Sequence, residues 1–225
     1  MISINQLDDL SSAISEKMRR IATSKAPAGL TEIYQEEINL VIWQRELNVT
    51  VKKAVSDFLA SNRTFQIAQS ITPQSALSVV RQSLGNESQP ALGENIAELV
   101  DMFCCLFDLK RAGLRLTVLD RAMCPKFHVD KVPCRLVSTY QGMSTEWLPH
   151  HAVDRTKLGI GSNGYSDEQS GLFQSKDDIH QLNTGDVALL KGELWEGNEN
   201  AGLVHRSPAL KKGESRLLLT LDFSD

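Results

Sequence analysis

The chain has 225 residues, 41% of them hydrophobic and 23% charged, a balance that suits a folded domain with a sizeable core. Its formal net charge is -4 and its densest basic spot is only Lys211-Lys212, which argues against a nucleic-acid backbone as a main partner. Met1 to Asp9 lacks a basic segment followed by an apolar one, and the apolar run Met102 to Phe107 is far too short for a membrane span, so a cytoplasmic protein is expected.

Up to about residue 112 the apolar residues recur at helical spacing. Ser3, followed by Leu7, Leu10, Ile14 and Met18, predicts an amphipathic helix with a serine cap. Thr31 to Leu47 places Ile33, Ile38, Val41 and Ile42 at the same spacing, with Trp43 and Arg45 on that helix. Val51, Val55, Phe58 and Leu59 make a third segment, and Ala76, Leu77 and Val80, after Pro73, a fourth. Gly85 to Pro90 is a turn cluster. Ile96, Leu99, Val100, Phe103 and Leu106-Phe107 then form a strongly apolar helix ending near Gly113.

Beyond Gly113 the period changes to that of strands. Leu114 to Asp120 alternates, and Cys134 to Tyr140, Thr145 to Leu148, Ile179 to Leu182, Val187 to Lys191, Gly202 to His205 and Arg216 to Phe223 are further strand-like runs. Short strands without long helices between them predict an antiparallel jelly roll or barrel. The expected fold is therefore α+β: a helical N-terminal region, residues 1–112, packed on a strand-rich region, residues 113–225, or one integrated domain built from both. The polar stretch Thr156 to Asp178 is a candidate lid.

The chemistry concentrates in Met123-Cys124-Pro125-Lys126-Phe127-His128-Val129-Asp130. Residues i and i+2 of a strand point to one side, so His128 and Asp130 can meet one metal ion. His205 ends a later strand, and Arg216 opens the last apolar one, where its guanidinium must reach water or meet an anion. Two histidines and one carboxylate with open positions suit non-haem Fe(II), and a nearby arginine can grip an organic acid through a bidentate fork. Arg135 is a second candidate for that grip, and Tyr140 a candidate cavity wall. The four cysteines show no CxxC pair and read as free thiols, with Cys104 and Cys105 as core residues. Cys124 is different: four residues before His128 and next to Pro125, it could supply a fourth ligand, closing the site and favouring zinc.

As an ordered set, His128-x-Asp130, a distal His205 and a following Arg216 resemble the 2-oxoglutarate- and Fe(II)-dependent oxygenases. That resemblance implies a double-stranded β-helix (a cupin-like jelly roll), with His128, Asp130 and His205 as metal ligands and Arg216 on the distal carboxylate of 2-oxoglutarate. Asn39 to Arg45, Cys124 to Asp130, Gly142 to Leu148 and His205 to Pro208 are similar, nearly end to end, to the bacterial family called domain of unknown function 1826. Three readings stay open at this point. The first is an oxygenase acting on a small-molecule or protein substrate. The second is a non-enzymatic zinc protein of metal homeostasis that uses Cys124 and has a metal-handling protein partner. The third is a cupin-like metal isomerase or hydrolase, which needs no Arg216. His150-His151 and His180 are weaker site candidates, better explained as solvated residues, while Glu146 beside Trp147 could reach a pocket or equally be a strand residue facing water. The substrate, the native metal, the oligomeric state and the role of the helical half are not legible.

Overall fold

The computed structural model describes residues 18–85 and 89–224. The helix expected from Ser3 onward lies outside them except for Met18, as do residues 86–88 of the expected turn cluster. Among the described residues there are ten strands: β1 (Arg20–Ser24), β2 (Ile38–Trp43), β3 (Gln66–Ile71), β4 (Ala112–Leu119), β5 (Cys134–Gln141), β6 (Glu146–Leu148), β7 (His180–Gln181), β8 (Val187–Lys191), β9 (Val204–Arg206) and β10 (Arg216–Phe223). The helices are α1 (Val49–Ser61), α2 (Pro73–Ser83), α3 (Pro90–Phe107) and the short α4 (Asp167–Ser170).

Each strand expected after Gly113 is present. The N-terminal half differs from expectation, because it is not a purely helical segment. Thr31–Leu47 is no helix: its first part belongs to a 3-10 helix, Pro27–Tyr34, and its second is β2. The reason is burial on both faces. Ile38 to Ile42 are all buried, so the run is continuously apolar and its spacing mimics a helix. Trp43 thus ends a strand, and Arg45 sits beyond it, over the Trp43 ring.

The helices that do form carry local signals. Asn48 accepts from the Val51 amide at the start of α1. Thr72 and Ser75 form a capping box ahead of α2, with Pro73 in its first turn. Leu92, Ile96, Leu99, Val100 and Phe103 of α3 are buried against the sheet, each contributing roughly 1.5–3 kcal/mol of apolar burial.

Seven strands form one sheet in the order β1-β2-β8-β5-β10-β4-β3, antiparallel except for the β1–β2 pair. One face, with Leu114, Leu116, Leu136, Leu189, Leu217, Leu219 and Leu221, packs on the helices. Alternation therefore turns Arg115, Thr117, Arg135, Val137, Thr139, Arg216, Leu218, Thr220 and Asp222 to the other face. The second sheet, β7-β6-β9, lies on part of that face, where Trp147 meets Leu40, Ile42, Val137, Ala188 and Leu190. No helix among the described residues is long and apolar enough to cross a membrane.

Candidate metal centre

His128 lies on no regular strand, yet it forms an isolated antiparallel bridge with His205 of β9. The His128 amide donates to the His205 carbonyl and the His205 amide returns the bond, both at 3.0 Å. Residues directly opposed in this way send their side chains to the same side, which brings the imidazole centroids to 4.6 Å. Asp130, two residues along, joins them. One ligand atom from each of His128, Asp130 and His205 lies within 4.8 Å of the others.

The two histidines are held in the same way. Nδ1 of His128 lies 3.0 Å from the Lys126 carbonyl, and Nδ1 of His205 lies 3.2 Å from the Leu203 carbonyl. A carbonyl only accepts, so each Nδ1 carries a proton, which in the neutral ring leaves the lone pair on Nε2. Those Nε2 atoms face Asp130, at 3.7 Å from Oδ1 for His128 and 3.4 Å from Oδ2 for His205. Burial and the neighbouring His205 lower the His128 pKa, favouring the neutral ring. Burial pushes the Asp130 carboxyl upward, but His205, Arg135 and His128 beside it hold it at about 2. Through one Nε2 lone pair each, two imidazoles can join one carboxylate in a donor set that fits a divalent transition metal.

Arg135 stands behind the carboxylate. Its Nη1 donates to Asp130 Oδ2 at 2.8 Å, and its Nε and Nη2 grip Asp222 at 2.7 and 2.9 Å. The register pairs Arg135 with Asp222 across β5 and β10, so the contact is built into the sheet. Arg135 is therefore already neutralised. Arg216 is not. It is 1% exposed, and its polar contacts are the hydroxyls of Thr139 and Thr145, at 3.0–3.3 and 2.7 Å. Burial alone pushes this guanidinium down to about 10.

A small cavity of about 60 Å³ adjoins this cluster, lined by His128, His205, Arg135, Cys124 and Thr145 among others. Cys124 thus lies at the cavity, but its sulfur is not in the three-residue cluster of donor atoms. Tyr140 does not come to this cavity: it is buried on the helical side, where its hydroxyl donates to Asn95 at 2.9 Å. None of the four cysteines forms a disulfide. His150 lies 3.3 Å from Arg155, and His180 stacks on Trp147, so neither joins the cluster.

Glu146, a weaker candidate from the sequence, is largely shielded from water; with Asp167 and Glu168, which were not singled out there, it surrounds Arg206 at 2.7–3.1 Å. Asp167 also accepts from the Phe127 amide at 2.8 Å, so one buried carboxylate ties the polar stretch after Thr156 to both histidine-bearing segments. Asp222, Thr139 and Thr145 likewise become visible only once register is known.

The fold is similar to that of the rice dioxygenase for auxin oxidation, with a TM-score of 0.53 and 9% identity over 91% of this chain and 82% of that one. A Pseudomonas putida prolyl-4-hydroxylase aligns at TM-score 0.48 and 11% identity, over 88% of this chain and 99% of that one. A full-length Neurospora crassa protein in complex with alpha-KG aligns at TM-score 0.47 and 10% identity, over 93% of this chain and 86% of that one. A search of the curated proteins finds no match. The sequence itself matches a family profile over residues 24–222, and the chain belongs to that family, described as protein of unknown function (DUF1826).

Proposed function

We propose that this chain is a 2-oxoglutarate- and Fe(II)-dependent oxygenase built on a double-stranded β-helix, with His128, Asp130 and His205 holding the metal and Arg216 holding the cosubstrate. The observation that carries the reading is Arg216. A guanidinium this deeply buried, with two hydroxyls and no carboxylate as partners, lacks the anion that normally offsets its desolvation. One of those hydroxyls, Thr145, lines the cavity that also contains His128 and His205. A dicarboxylate would satisfy both needs, with one end on the metal and the other on Arg216 through a charge-assisted fork. The fold shared with a rice dioxygenase agrees with this reading.

When bound, the metal and 2-oxoglutarate supply oxidative decarboxylation coupled to oxidation of a second substrate. The chain's own residues do the positioning. The Lys126 and Leu203 carbonyls fix the imidazole tautomers, and Arg135 orients Asp130 and keeps it ionised. Thr139 and Thr145 hold the Arg216 fork in place, while Val137 and Leu218 give the cavity an apolar wall that limits water.

An anaerobic titration of metal-free protein with Fe(II), with and without 2-oxoglutarate, tests the reading by visible absorption. A weak charge-transfer band that requires both additions, and is lost in Arg216→Ala, is the expected result. Tight stoichiometric zinc that depends on Cys124, with no such band, would overturn it in favour of a closed binding site.

A further inference from the structure

Three guanidinium groups line the cavity of the metal centre: Arg115, Arg135 and Arg206. Arg135 is neutralised by Asp130 and Asp222, and Arg206 by Glu146, Asp167 and Glu168. Arg115 has no ion pair and no side-chain hydrogen bond among the described residues. Its position is not that of a casual surface arginine. On β4, Leu114, Leu116 and Val118 are buried toward the helices, which puts Arg115 on the same sheet face as the metal centre.

The register fixes its neighbours. Arg115 lies opposite Thr220 of β10 and Ala68 of β3, and Thr220 lies opposite Val137 of β5. Arg115 is therefore two strands, roughly 10 Å, from the strand that carries Arg135 and hence from the Asp130 ligand. A second observation points to a ligand here. Thr117, two residues along the same face, is 5% exposed, and its hydroxyl is buried without a hydrogen-bond partner on the wall of the same cavity. A buried hydroxyl without a partner is destabilising, and a polar ligand would relieve it. The remaining wall includes Leu218, Val137 and Met123 as apolar surface.

We propose that Arg115 anchors an oxyanion group, a carboxylate or a phosphate, on the substrate that is oxidised, with Thr117 and Thr220 as flanking hydroxyls. The substrate would then be a small acid with an apolar middle, its far end laid toward the metal. Calling the ligand a substrate rests on the oxygenase reading; the anion subsite itself does not.

The test uses the protein as purified, at constant ionic strength, titrated with phenylacetate, phenyl phosphate and the neutral phenylacetamide, and followed by ligand-observed NMR. At least one of the two acids should saturate and bind at least tenfold more tightly than phenylacetamide; which of them does so separates carboxylate from phosphate. Arg115→Gln should lose at least tenfold, Arg115→Lys should retain an intermediate affinity, and Arg216→Met should stay within twofold of the parent. Arg115 is exposed, so both of its variants should keep the parent's melting temperature. The proposal is overturned if neither acid binds, if Arg115→Gln binds as the parent does, or if binding is lost in Arg216→Met instead. A separate titration with 2-oxoglutarate keeps the two ideas apart. Acid binding through Arg115 without any 2-oxoglutarate binding would leave the subsite standing and remove the oxygenase reading.

Discussion

Replacing Arg216 with methionine should make the ligand-free protein slightly more stable while abolishing its response to 2-oxoglutarate. Burial lowers the guanidinium to about 10 from its ordinary 12.5. At ~1.4 kcal/mol for each tenfold in acidity, that is about 3 kcal/mol of desolvation without an opposing charge. The sign follows from the direction of the shift. The penalty is complete while the group is charged, below about 10, and fades as the pH rises from there toward the ordinary value, so at neutral pH it is at its largest. Methionine removes it and gives up contacts with two threonine hydroxyls, at about 1 kcal/mol each. The net gain of about 1 kcal/mol corresponds to roughly 2–4 °C in melting temperature for a chain of this size. Thermal melts with Mn(II), with and without 2-oxoglutarate, supply the second half. At a hundred times its dissociation constant the acid should add about 2.7 kcal/mol to the parent and nothing to the variant. A variant that melts many degrees lower, or that 2-oxoglutarate stabilises as it does the parent, would show that Arg216 is a structural keystone and not an anion anchor.

Three further changes probe the frame around the site. Asp167→Ala removes the acceptor of the Phe127 amide and one partner of Arg206, and should cost about 2–3 kcal/mol in urea unfolding; an unchanged midpoint would mean that this carboxylate holds nothing. Lys191 is buried, donates to the Gln35 carbonyl at 2.9 Å and lies 4.8 Å from the Trp195 ring centre, and burial together with Arg19 pushes it down to about 8. Its ammonium form is disfavoured in the folded state, so stability should rise with pH between about 8 and the ordinary lysine range and be lost again as the pH falls through 8. Lys191→Met should flatten that rise, and equal slopes in the two proteins would refute the assignment. A side chain at Gly202 would run into the Val129 methyl, between two of the proposed ligands, so Gly202→Ala should weaken Mn(II) binding on the order of tenfold while keeping the circular dichroism of the parent.

The site was legible in the sequence where chemistry and spacing coincide. His128-x-Asp130 needs only the two-residue period of an extended chain, and the later strands alternate well enough to place His205 and Arg216 on successive ones. Arg115 and Asp222 were invisible for a different reason. Each is one polar residue in an alternating strand, and only the register shows that the first faces a cavity and the second a guanidinium. In the N-terminal half, β2 is buried on both faces and carries no alternation, while β3 is a polar edge strand with four of its six residues exposed, so neither signals a strand. Tyr140 illustrates the converse: its strand was read correctly, but its face was not, and a single step in parity separates the cavity from the helical core.

The position of β10 has a consequence for biosynthesis. It runs between β5 and β4, inside the large sheet, although it is the last described strand in chain order. Both of its neighbours therefore leave the ribosome before it does, and β4 and β5 keep open edges until it arrives. The strand that carries Arg216 also supplies Asp222, which steadies Arg135 behind Asp130. Both histidines are therefore translated before Asp222, and the support behind Asp130 is complete only after they have emerged.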